Sequence, residues 1–155
     1  MKRKIFVVTM LGLCFGLVGC TSADNIIPVG EWGTENNFKI RVNSTKTESS
    51  IKTLTTETPS NGVYLVINMS AKNTLSNLSN SLYGSDFSFK IGDYKYDYKQ
   101  TESWYYNKDK CLYLNSLWDG GEQRDFLLLF DVPTNYEEGV LTYKYGFTTL
   151  TFAIK

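Results

Sequence analysis

Residues 63–71 read VYLVINMSA. Val63, Leu65, Ile67, Met69 and Ala71 are apolar, and they alternate with Tyr64, Asn68 and Ser70; Val66 is the exception. Side chains on a strand point alternately to opposite faces, so this period of two predicts a long strand with one face on a core. The same rhythm spreads outward. FKIRV (38–42) puts Phe38, Ile40 and Val42 on one face. DFSFKIGDYKYDY (86–98) reads as two strands about a Gly92-Asp93 turn, Phe87, Phe89 and Ile91 sharing a face of the first. GGEQRDFLLLFDVP (120–133) is a turn and a hydrophobic strand, with Phe126, Leu128, Phe130 and Val132 inward and a stop at Pro133, which has no N–H for a ladder. CLYLNSLW (111–118) is a further strand candidate. VLTYKYGFTTLTFAIK (140–155) supplies one or two more, broken at Gly146.

Between these runs, the Ser/Thr/Asn-rich segments 43–50, 55–62 and 74–81, and the neighbourhood of 101–110, read as loops. No segment after the first twenty residues shows a helical repeat. The expectation is an all-β protein: an antiparallel β-sandwich of about seven or eight strands over residues 31–155.

The N-terminus has a different character. Lys2, Arg3 and Lys4 precede IFVVTMLGLCFGLVG (5–19), in which Thr9 is the only polar side chain. A basic start and about fifteen apolar residues ending in small ones form a secretory signal, and the run is shorter than the roughly 18–20 residues of a permanent bilayer span. Leu17-Val18-Gly19-Cys20 resembles a bacterial lipobox. The resemblance implies cleavage between Gly19 and Cys20, lipidation of the Cys20 thiol with diacylglycerol, and a mature protein tethered to the outer side of the cell membrane. Each buried methylene contributes about 0.8 kcal/mol, so two chains make a firm anchor. Residues 1–19 are then a removed signal peptide, and 20–30 the lipidated cysteine and its tether.

Composition narrows the functions available. The 155-residue chain balances 16 basic against 16 acidic residues; without the three basic ones at its start it carries 13 against 16, net −3. With no basic stripe, nucleic acid is not an expected partner. Three cysteines are present, and after Cys14 and Cys20 only Cys111 is left, read as a small apolar strand residue. The chain has no histidine, so Ser-His and Cys-His catalysis and His-ligated zinc are not available to it. No cofactor and no metal site are expected. Asp86, Asp93 and Asp97 read as turn acids rather than calcium ligands, because no fitted loop of oxygens accompanies them. Glu137-Glu138 and Asp119, Glu122 and Asp125 read as acid-rich loops rather than a hydrolytic pair.

Three landmarks occur in order: GVYLVINMSAKN (62–73), SDFSFKIGDYKYD (85–97) and GGEQRDFLLLFDVP (120–133). Together they resemble a domain family of unknown function with a telokin-like, immunoglobulin-like sandwich, found in secreted and lipid-anchored proteins of Gram-positive bacteria. The resemblance spans roughly residues 30–155 and implies fold and location, not chemistry. The tyrosine strand at 94–98 and the WYY run at 104–106 are richer in aromatics than that family implies.

Those aromatics are the candidate binding surface: Trp104, Tyr105 and Tyr106 in or beside a loop, and Tyr94, Tyr96 and Tyr98 as a stripe on a strand. Exposed aromatic rings give large contact area at small entropic cost; the alternative is burial on a core with hydroxyls at the rim. The expected function is non-enzymatic: an anchored extracellular module that binds a protein, cell-wall or glycan partner. A structural or accessory subunit of a membrane or envelope complex, without a soluble ligand, is the other reading.

Overall fold

Alternating hydrophobicity becomes a pair of long central strands. The computed structural model describes residues 25–35, 37–52, 56–106, 114 and 116–155. Its strands are β1 (Ile26–Ile27), β2 (Trp32–Glu35), β3 (Phe38–Lys52), β4 (Glu57–Asn73), β5 (Asn80–Ser81), β6 (Phe87–Ile91), β7 (Tyr94–Asp97), β8 (Leu117–Trp118), β9 (Gln123–Val132), β10 (Gly139–Tyr145) and β11 (Thr148–Ile154). A helix, α1 (Gln100–Tyr106), lies between β7 and β8. Among the described residues eight strands have four residues or more.

Two sheets form. The first, sheet A, has the order β1-β11-β10-β6-β7; the second, sheet B, has β2-β3-β4-β9; β5 and β8 pair separately. Every pairing in the two large sheets is antiparallel except that of β1 with β11. The molecule is a β-sandwich. Its core is the set of inward side chains that the period of two selects. Phe38, Ile40 and Val42 of β3, Leu65, Ile67, Met69 and Ala71 of β4 and Phe126, Leu128, Phe130 and Val132 of β9 come from sheet B. They meet Phe87, Phe89, Leu141, Tyr143, Leu150, Phe152 and Ile154 of sheet A. Aromatic pairs cross the gap, Phe87 to Phe126 at 6.1 Å and Phe89 to Phe130 at 5.8 Å between ring centres, separations typical of favourable ring packing. Trp118 closes one end of the core, edge-on to Phe38 at 5.6 Å. The β6–β7 turn holds Gly92 at φ 56°, a left-handed conformation that glycine adopts freely.

Four expectations are corrected. Residues 43–50 and most of 55–62 are strand, not loop: β3 and β4 continue as a paired ribbon to Ile51↔Thr58 and Lys52↔Glu57, with register shifts at Val42/Ser44 and Glu48/Ser50. Serine and threonine there are polar because β4 outruns β9 and much of β3 outruns β2, leaving these residues little core to face. Residues 100–106 form a helix where a loop was expected. Of residues 111–118, only Leu117–Trp118 is strand among the described residues; Cys111 lies outside them. Ile26–Ile27, expected in the tether, pairs with Thr151 and Phe152, and Ile27 packs on the core. Apolar side chains there make docking more favourable than a free tether.

Sheet B is covered on its outer face too, and this accounts for Val66. A second apolar cluster of Ile51, Tyr64, Val66, Leu127 and Leu129 sits there, with Tyr106 packed against it. The run FLLLF is continuous because β9 is buried on both faces.

Candidate functional site

Helix α1 carries three of the candidate aromatics and is held at two points. A seven-residue helix rich in aromatics does not persist alone. Glu102 in its first turn favours the helix N-terminus. The decisive contacts are tertiary. The Leu129 N–H on the outer edge of β9 donates to Ser103 Oγ at 3.1 Å. One turn earlier the Lys99 N–H donates to the Leu129 carbonyl at 2.9 Å. At the other end, the Tyr106 hydroxyl donates to Glu48 Oε1 at 3.1 Å, and the Lys46 ammonium, 2.7 Å from the same carboxylate, lies over the Tyr106 ring at 5.2 Å. Lys46 holds the Glu48 carboxyl below its ordinary range, with Tyr106 helping. Tyr106 is therefore an anchor of the helix. Between these points Trp104 stands 42% exposed, edge-on to half-buried Tyr105 at 4.7 Å.

The tyrosine stripe divides. Tyr96 and Tyr98 pack on the main core. A Cβ added at Gly84 would lie 2.2 Å from the Tyr98 ring, so that ring rests on bare backbone. Burial raises the Tyr98 hydroxyl above its ordinary range, against a hydrogen bond from the Ser103 side chain. Only Tyr94 is open, 76% exposed beside the β6–β7 turn. Tyr94 lies at one end of β7 and α1 follows the other, so the structure does not merge the two aromatic groups into one patch.

Glu122, Asp125 and Asp97 have structural partners. Glu122 takes the Arg124 Nε at 2.6 Å and the Asp119 N–H at 2.8 Å. Arg124 also reaches Ser116 Oγ and the Leu117 carbonyl and lies over the Trp118 ring at 4.9 Å. Asp125 accepts from Ser70 Oγ at 2.6 Å. Asp93 is in the β6–β7 turn, Asp97 pairs with Lys95 at 3.3 Å, and burial raises the Asp86 carboxyl above its usual range. Among the described residues no three acidic, histidine or cysteine side chains gather as a metal-ligand set.

Further surface features had no clear signal. Trp32 packs under the Arg41 guanidinium at 4.6 Å. Phe147, at the β10–β11 tip, is fully exposed; the Gly146 break marked the turn but not the exposure. The outer face of sheet A forms a shallow groove of about 620 Å³ floored by Val140, Thr142, Thr151 and Ala153; four short side chains make the depression. Gly19 and Cys20 lie outside the described residues. No helix among the described residues is long and apolar enough to cross a membrane.

No protein-family model and no curated protein matches the chain. Solved structures do. The yjhA protein from Bacillus subtilis superposes with a TM-score of 0.60 at 13% identity, over 83% of this chain and 98% of that one. An uncharacterized β-sandwich protein from Clostridium difficile 630 gives 0.55 at 19% identity, over 85% and 96%. MPT63, a secreted protein from Mycobacterium tuberculosis, gives 0.55 at 14% identity, over 84% and 97%. What this chain shares with them is the sandwich fold.

Proposed function

We propose that the mature chain is a non-enzymatic binding module, held outside the cell membrane by diacylglycerol on Cys20, that takes a protein, cell-wall or glycan partner on helix α1. The observation that carries this reading is the exposure of Trp104 on a helix whose adjacent Ser103 and nearby Tyr106 are both fixed to sheet B. A large aromatic side chain on a rigid support loses little entropy when it binds. Similarity in fold to a secreted sandwich protein supports an extracytoplasmic setting. Sedimentation of the purified protein with isolated envelopes tests it. Trp104→Ala with Tyr105→Ala should weaken binding about tenfold or more, the size of a hot-spot loss, with the melting curve retained. Equal binding by the double variant overturns the assignment to α1. An unacylated N-terminus in cells overturns the anchor.

A further inference from the structure

The outer face of sheet A is basic as well as grooved. The register places Lys90 of β6 directly opposite Lys95 of β7, and next to Val140 of β10. Lys144, opposite Thr149, shares that face, and Lys155 lines the groove. Against these four cations stand Asp97, paired with Lys95, Glu138 at the groove rim and Asp93 in the β6–β7 turn, so the face keeps a basic excess. Like charges directly across a strand pair destabilise it unless something anionic lies over them. The floor between them is apolar or small, and exposed Ile26 extends it along β1.

The outer face of sheet B differs. Lys39 and Lys72 also oppose each other there, and Arg41 and Lys46 share that face. There, however, Glu48, Glu102, Asp125 and Asp131 balance the four cations, and α1 covers the apolar half of the face. Chain entry separates the faces further. Ile26 begins sheet A, six residues after Cys20, a reach of at most about 20 Å.

We infer that the outer face of sheet A, with Lys90, Lys95, Lys144 and Lys155 around an apolar floor, lies against an anionic phospholipid surface and sets the orientation of the anchored domain. This rests on the reading of Cys20 as the anchor. Basic side chains close to an anionic leaflet are drawn to it, and a short tether supplies a high local concentration of surface. Docked this way, the outer face of sheet B and the α1 that packs on it turn from the bilayer.

Lysine footprinting of the intact acylated protein tests the orientation. The protein is reconstituted into vesicles of phosphatidylcholine alone or with phosphatidylglycerol, treated briefly with an acetylating ester, and analysed by peptide mass spectrometry. On phosphatidylglycerol the four sheet A lysines should react about fivefold more slowly than on phosphatidylcholine, while Lys39 and Lys72 keep their rates. Lys90→Glu with Lys95→Glu should still float with the vesicles and lose the protection at Lys144 and Lys155. A protein that floats but is labelled evenly overturns the orientation and leaves the anchor intact. Protection at Lys39 and Lys72 instead, or protection by added polyphosphate but not by phosphatidylglycerol, also overturns it. An unacylated Cys20 overturns anchor and orientation together.

Discussion

The side-chain amide of Asn73 donates to the backbone carbonyl of Trp118 at 3.1 Å, at the end of the core where β4 stops. The same nitrogen lies within hydrogen-bonding distance of the Leu78 and Asp119 carbonyls at 2.9 and 3.2 Å, and the amide oxygen accepts the Leu75 N–H at 3.1 Å. The Asn73 backbone continues the ladder through the Glu122 carbonyl and the Gly121 N–H. One buried side chain thus ties the strand end to two loops. Asn73→Asp keeps the shape but sets a carboxylate oxygen among three carbonyl oxygens. We expect a loss of about 3–5 kcal/mol, the scale of an uncompensated buried charge, measured by urea denaturation. A loss below about 1 kcal/mol, the worth of one ordinary hydrogen bond, would show that the loops hold without this clamp.

Ser103 makes a second prediction, on the edge of β9 that does not pair with β4. Its hydroxyl accepts the Leu129 N–H, and the serine itself is fully buried. Ser103→Ala leaves that N–H without its partner and should cost about 1–2 kcal/mol. The same change should speed amide exchange at Leu129 more than at Leu127. Trp104→Ala, by contrast, should change stability by less than about 0.5 kcal/mol, as exposed surface substitutions do. If Trp104→Ala destabilises as much as Ser103→Ala, the indole belongs to the packing of α1 and not to a recognition surface.

The two behaviours of the sequence have one physical origin. Where a segment faces a core on one side only, its side chains record that face. Phe38, Ile40 and Val42, and Phe126, Leu128 and Phe130, were legible for that reason. Where a ribbon outruns its neighbouring strands, as β3–β4 does, most of its side chains have little core to face, and its serines and threonines read as loop. Helix α1 spans fewer than two turns, too short for its period to declare itself, and it exists through contacts to residues 26 and 58 positions away. Val66 was the trace it left: an apolar residue on the wrong face of a strand, covered by something sequence-distant. Of the candidate surface, Trp104 and Tyr94 are exposed, whereas Tyr96 and Tyr98 pack on the main core and Tyr106 on the second cluster, a division the sequence had left open. Local sequence does not distinguish an aromatic at a core rim from one in solvent.

Acid should act on Asp86 in the opposite sense to a paired carboxylate. Burial raises its folded-state pKa, with a backbone hydrogen bond at Tyr83 opposing, and Asp86 Oδ2 has no protein partner. The folded state then holds the proton more tightly than the unfolded one. Its cost to stability is absent below the ordinary aspartate pKa of about 4 and grows as pH rises to and through the raised folded value. Asp86→Asn should therefore raise the melting temperature at pH 7, with the gain shrinking to nothing as the pH falls below about 4. A gain that persists unchanged in acid would trace to packing rather than to charge.

Tyr94 and Tyr98 occupy one face of the same strand and its continuation, yet their substitution should have unlike results. Tyr98 is packed on Gly84 and the main core, and its hydroxyl meets Ser103. Tyr98→Ala removes a ring packed on the core, and should cost about 3 kcal/mol, the lower range for truncating a buried aromatic. Tyr98→Phe keeps the ring and loses one hydrogen bond, so about 1 kcal/mol is expected. Tyr94 projects beside the turn into solvent, and Tyr94→Ala should fall within about 0.5 kcal/mol of the parent. Thermal melts of the three variants decide the matter. Equal costs for Tyr94→Ala and Tyr98→Ala would mean that the stripe acts as one packed unit, and Tyr94 would then drop from the set of residues free to meet a partner.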